Sequence, residues 1–126
     1  MNVLAVGAHC DDVELGCGAT LAKHVARGDH VSIFHMSAGV GSREYPETPD
    51  VAAVHARRDC ARRAATELGV PFDQTRFFDL PDQRFDTLPS LEVVKTIESA
   101  LSILRYPDLV YSHHEGDLNL DHAITA

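Results

Sequence analysis

The feature that most constrains this chain is an apolar run, Val3 to Ala8, that passes directly into His9-Cys10-Asp11-Asp12. A short apolar run reads as a buried strand, and Gly7 and Gly16 punctuate the turn after it. From Leu15 to Arg27 the positions Leu15, Ala19, Leu21, Ala22, Val25 and Ala26 recur at helical spacing, and Gly28-Asp29 stops the helix. His30 to Met36 reads as a second strand and Ser37 to Pro49 as a loop. Asp50 then caps a long helix carrying Val51, Val54, Ala61, Ala64, Ala65 and Leu68 on one stripe, with Gly69 as its C-cap. A third strand over Arg76 to Leu80 leads into a loop, Pro81 to Pro89. Ser90 caps a helix running to about Leu104, Asp108 to Ser112 forms a fourth strand, and Asp121-His122 opens another helix.

Strands alternating with helices imply an α/β fold, a Rossmann-like parallel sheet with helices on both faces. Such sheets bind ligands outside the carboxyl ends of their strands, where the strand order reverses. A core order of 3-2-1-4 makes the first and fourth strands neighbours at that point. It brings His9 and the segment His113 to His122 to one crevice. Residues 1–126 read as a single domain without repeats or linkers.

Composition narrows the function. The net charge is −8, from 19 acidic against 11 basic residues, which argues against nucleic acid as a partner. Arg57, Arg58, Arg62 and Arg63 cluster at helical spacing beside Asp59 and Glu67, the pattern of a solvated face. Three cysteines fit no disulfide framework, and no apolar run approaches the ~18 residues of a membrane span. With no apolar leader before Val3, a reducing, cytoplasmic setting is expected. No G-x-G-x-x-G opens the first turn, and that turn carries negative charge where a pyrophosphate would sit.

The turn points to metal chemistry instead. His9 and Asp12, three residues apart, reach one ion from a single turn, and His122 in Asp117-Leu118-Asn119-Leu120-Asp121-His122 is the natural third ligand. Imidazole with carboxylate suits Zn²⁺, with Fe²⁺ and other divalents as competitors. Asp11 lies beside these ligands without being needed as one, a suitable general base. The bland alternative is a helix cap with acidic residues at the favourable dipole end.

Ala8-His9-Cys10-Asp11-Asp12-Val13-Glu14, taken with Asp-x-Asn-x-Asp-His after the fourth strand, resembles the PIG-L/LmbE-like deacetylases, zinc-dependent de-N-acetylases of N-acetylglucosaminyl compounds. The likeness extends over Gly16-Cys17-Gly18, the helix from Arg57-Arg58 to Leu68-Gly69, and Phe78-Asp79-Leu80-Pro81-Asp82. It implies zinc on His9, Asp12 and His122, Asp11 as the base, and zinc-activated water removing an acetyl group from a sugar conjugate. It also implies further secondary structure beyond His122, so that this chain is shortened at its carboxyl end relative to the family. A homo-oligomer is compatible with it.

Two residues depart from the family pattern. Cys10 stands where proline is common, and Asn119 where many members carry a histidine that assists the intermediate or protonates the amine. His114 is the first candidate for that imidazole, with His113 in reserve. Asp121 reads equally as an acceptor that orients an imidazole or as the cap of the last helix. Arg57 or Arg58 reaches the crevice to pair with Asp11 or hold substrate, or else faces solvent. Asp82, Arg84 and Asn119 are further substrate-contact candidates, while His24, His30, His35 and His55 read as structural or surface residues. Two other functions fit the same pattern: a sugar or nucleotide-sugar binding protein without turnover, and a hydrolase of another amide or carbamate on a natural-product scaffold.

Overall fold

The structure, a computed structural model, describes residues 1–42, 50–102 and 104–126. The expected loop from Ser37 lies outside the described residues beyond position 42. Strands β1 (Asn2–Gly7), β2 (His30–His35), β3 (Thr75–Phe77) and β4 (Leu109–Tyr111) form one sheet in the order β3-β2-β1-β4. All three pairings are parallel, with Val3 opposite both Val31 and Leu109. Helices α1 (Asp12–Ala26), α2 (Val51–Glu67), α3 (Ser90–Leu101) and α4 (Leu120–Thr125) complete the α/β fold.

Alternation along β1 builds two cores. Val3 and Ala5 pack with Val13 and Leu21 of α1 and Ala65 of α2 on one face. Leu4 and Val6 pack with Phe34, Phe85 and the α3 residues Val93 and Ala100 on the other. A strand buried on both faces needs apolar residues at every position, which is why its sequence reads as a run.

The boundaries differ from the sequence reading where side chains turn back on the chain. Helix α1 starts at Asp12, three residues before Leu15, because Leu15 N–H already donates to the Asp11 carbonyl. Leu68 is the C-cap of α2, and Gly69 follows it at φ 83. Ser90 is not a cap but the first residue of α3, where Pro89 holds the cap position without a side-chain bond and its carbonyl accepts from Glu92 N. Strand β3 is offset from the expected Arg76–Leu80, although Phe78 N and Leu80 N still donate to the carbonyls of His35 and Met36. No described helix is long and apolar enough to cross a membrane.

Candidate metal centre

Every group of the centre hangs from the carboxyl edge of the sheet. The chain leaves β1 at Gly7, turns through His9, Cys10 and Asp11, and enters α1 at Asp12. Asp11 occupies the N-cap position of α1, yet its side chain makes no capping hydrogen bond. The contrast lies within the same molecule: Asp50 caps α2 by accepting from Ala52 N, and Asn119 caps α4 by accepting from Asp121 N and His122 N. The Asp11 carboxylate instead receives Arg57 Nη2 at 3.0 Å, both side chains being roughly half exposed.

Asp12 turns back over the turn and accepts the His9 N–H at 2.8 Å. The same oxygen, Oδ2, lies 3.3 Å from His9 Nδ1, from His122 Nε2 and from His113 Nε2. Burial alone would raise the Asp12 carboxyl, but the imidazoles packed against it and the His9 N–H outweigh that and hold it well below the usual carboxylate range.

The His9 and His122 rings are each oriented from behind. His9 Nε2 lies 3.0 Å from Asp121 and 3.1 Å from Asp82, which leaves Nδ1 to face Asp12. Burial pulls the His9 ring down, and hydrogen bonds with Asp12, Asp121 and Asp82 overcome it, pushing the ring up to about 11. His122 Nδ1 meets Asp117 Oδ2 at 3.1 Å, which leaves Nε2 to face Asp12. A carboxylate behind an imidazole fixes its tautomer and raises its basicity as a ligand. Bonds of about 2.0–2.1 Å to a tetrahedral zinc leave neighbouring donor atoms about 3.3 Å apart. The His9, Asp12 and His122 donors match that spacing at the shared oxygen, and the two nitrogens and one oxygen suit the ion.

The structure reverses the expected order of the two histidines after β4. His113 stacks on His122 with centroids 4.0 Å apart, whereas His114 is exposed and accepts the Gly116 N–H within its own loop. Neighbouring residues leaving a strand point opposite ways, and Ala8 N–H, donated to His113 Nε2 at 2.9 Å, selects which one turns inward. His113 Nε2 therefore stands between the Ala8 N–H and the Asp12 carboxylate, and with Asp117 and His122 it forms a second group of converging donors beside the first.

Other expected residues fall at different depths. Asp121 is 1% exposed and accepts from Gln83 N and Phe85 N besides facing His9, so it orients an imidazole and is not the cap of α4. Asp82 faces inward, between His9 and the Gly41 N–H, with its side chain only 7% exposed, and it backs the His9 ring. Arg58 is turned away to Asp79 and the Phe78 carbonyl, and Arg84 is exposed on the loop after β3. Cys10 is buried, burial reinforced by Glu14 pushes its thiol up to about 12, and it belongs to none of the His/Asp groups that converge among the described residues.

Sequence reasoning overlooks three features. Asp117 backs His122 across a turn of five residues, with no periodicity to betray it. Gly39, at φ 70, lies so close that an added Cβ would stand 3.1 Å from His9 Cβ; a glycine in the loop after β2 is its one trace. His35, fully buried, stacks on Phe77 and directs Nδ1 at the His9 carbonyl, 3.4 Å away.

A parallel α/β sheet with histidines and aspartates converging at its carboxyl edge defines a metal-competent α/β domain. Comparison with known proteins makes the class specific. An uncharacterized deacetylase, YaiS, from Escherichia coli K12 is 32% identical over 128 residues, covering 96% of this chain and 62% of the relative. The N,N'-diacetylchitobiose deacetylase of Pyrococcus horikoshii superposes with a TM-score of 0.80 at 26% identity, covering 98% of this chain and 46% of that one. A deacetylase triple mutant of the teicoplanin biosynthetic pathway superposes with a TM-score of 0.80 at 28% identity, covering 99% of this chain and 56% of that one. The sequence model of PIG-L, described as GlcNAc-PI de-N-acetylase, matches residues 4–126, and the chain belongs to that deacetylase family. It spans between 46% and 62% of the lengths of these three relatives.

Proposed function

We propose that this chain is a zinc-dependent hydrolase that removes an N-acetyl group from an N-acetylglucosamine-type sugar conjugate. One observation carries the proposal. A carboxylate oxygen faces two imidazole nitrogens at 3.3 Å, each ring backed by its own aspartate, while the neighbouring Asp11 stands at an N-cap it does not use. Three inward donors with a carboxylate beside them that caps no helix fit the parts of metal-assisted amide hydrolysis better than a helix cap. The acetylated sugar as substrate is supported by the names of the family and of the chitobiose deacetylase.

His9, Asp12 and His122 would hold the ion. Bound there, a divalent metal supplies a lowered pKa for water and polarises the acyl oxygen, with Fe²⁺ able to replace zinc on the same donors. The protein's own groups do the rest. Asp121 and Asp82 keep the His9 Nε2 proton, and Asp117 keeps that on His122 Nδ1, so that the opposite nitrogens face the ion. Arg57 orients the Asp11 carboxylate. Asp11 takes a proton as the water oxygen bonds to the acyl carbon. It returns that proton to nitrogen as the C–N bond breaks, releasing acetate and a free amine. Free cysteines at 10, 17 and 60 suit a cytoplasmic setting for this chemistry.

Asp11→Asn tests the reading. The variant is expected to keep its metal while acetate release falls by at least about 10²-fold; release at the wild-type rate would remove Asp11 as the base. Asn119 favours one other reading. Its side chain is a neutral amide whose oxygen caps α4, and an amide cannot give up a proton as an acid, as expected of a sugar-binding protein without turnover. That reading predicts sugar binding by the wild type with no acetate formed.

A further inference from the structure

Gln83 is the single non-glycine residue with positive φ among the described residues, at 58°. Glycine takes this conformation at no steric cost, whereas a residue with a Cβ is strained by it. The strain has an identifiable source. The buried Asp121 carboxylate accepts Gln83 N at 2.6 Å and Phe85 N at 3.0 Å while also facing His9 Nε2 at 3.0 Å, so the turn is pinned directly to the metal centre.

In that conformation the Gln83 side chain forms an exposed lip over the centre. Its Nε2 lies 3.3 Å from Asp82 Oδ1 and 3.5 Å from His9 Nε2, and its Oε1 lies 3.5 Å from Asn119 Nδ2. These contacts are long for hydrogen bonds. A primary amide has two N–H donors and two lone pairs, so most of this capacity is unspent. Asn119 is similar: its oxygen is used by α4, but its Nδ2 has only the long contact to Gln83. Two neutral amides therefore offer donors and an acceptor side by side at the mouth of a buried ionic cluster. That set matches vicinal hydroxyls, which both donate and accept, better than it matches a charged group. Strain retained at such a place is where a side chain has a task that glycine cannot perform.

We infer that Gln83, assisted by Asn119, contacts the sugar hydroxyls of the substrate and sets the specificity of the site; the inference rests on the sugar-deacetylase reading above. Gln83→Gly separates backbone from side chain, because glycine accepts the strained φ while removing the amide. Calorimetric titration of N-acetylglucosamine into the metal-loaded chain is expected to show about tenfold weaker binding by Gln83→Gly than by the wild type, the weight of one or two neutral hydrogen bonds. The thermal midpoint should be equal or higher. KM for the acetylated sugar should rise more than kcat falls, whereas N-acetylethanolamine, which lacks the ring hydroxyls, should be processed alike by both proteins. Unchanged sugar affinity in the variant, equal losses on both compounds, or no sugar binding by the wild type would each overturn the inference. Sugar binding without acetate release would remove the activity instead, leaving Gln83 to be decided by calorimetry. Gln83→Ala repeats the measurement if the glycine variant fails to fold.

Discussion

Two histidine–aspartate groups sit at opposite edges of the same sheet, and they are built on different plans. At the amino edge, His24 Nδ1 meets Asp29 at 2.7 Å and Nε2 meets the Tyr111 hydroxyl at 3.0 Å. The second Asp29 oxygen takes the Met1 ammonium at 2.7 Å. Each polar atom there has one partner, and the positive charge is already supplied. At the carboxyl edge, three carboxylates crowd one ring: Asp12 on Nδ1, and Asp82 and Asp121 on Nε2 of His9. His122 carries a fourth, Asp117, and aims its other nitrogen at the same Asp12 oxygen. Proximity of histidine and aspartate is thus not what marks a metal centre. Acceptors converging in excess of the cations among them are what make the carboxyl-edge group the candidate for an ion.

Substitutions at matched positions should break the two groups in different ways. Asp121→Asn removes the charge behind His9 and should weaken metal affinity about 10–100-fold, as measured by competition with a chelating dye. Asp29→Asn should leave metal affinity unchanged and lower the melting temperature by a few degrees. Equal effects on metal affinity would erase the distinction drawn between the two edges.

A smaller effect concerns the histidine beneath the centre. Burial holds the fully enclosed His35 ring down to about 4, from an ordinary value of 6.5. Below pH 6.5 the unfolded chain takes up a proton that the folded chain refuses until about pH 4. Stability present above pH 6.5 is therefore lost as the pH falls through that window. The melting temperature of His35→Phe should decline less steeply than that of the wild type over the same range; parallel declines would mean that the ring is charged in the folded protein.

The fold is legible in the sequence because its signals are local and repeated. Apolar runs separated by helical stripes imply a parallel sheet, and the single change of direction in 3-2-1-4 brings the ends of β1 and β4 together. His9, Asp12 and His122 are legible as a converging group for the same reason: each stands just beyond a strand end or at the next helix. What hides is everything decided by a single backbone hydrogen bond. Whether His113 or His114 turns inward depends on the Ala8 amide, and the left-handed turn at Gln83 depends on a carboxylate 38 positions away in sequence. The depth of Asp82 depends on the Gly41 amide. None of these leaves a periodic trace. Boundaries such as the start of α1 shift because residues with chemical roles also occupy the turn.

The central claim is that the carboxyl-edge group, and not the amino-edge group, is built around an ion. Calorimetric titration of Zn²⁺ into metal-stripped protein tests it most directly, with His122→Ala and His24→Gln run beside the wild type. The account predicts one ion per chain for the wild type and for His24→Gln, and no stoichiometric binding for His122→Ala. A wild type that takes up no zinc, or a His122→Ala variant that still binds one ion with wild-type affinity, would contradict it.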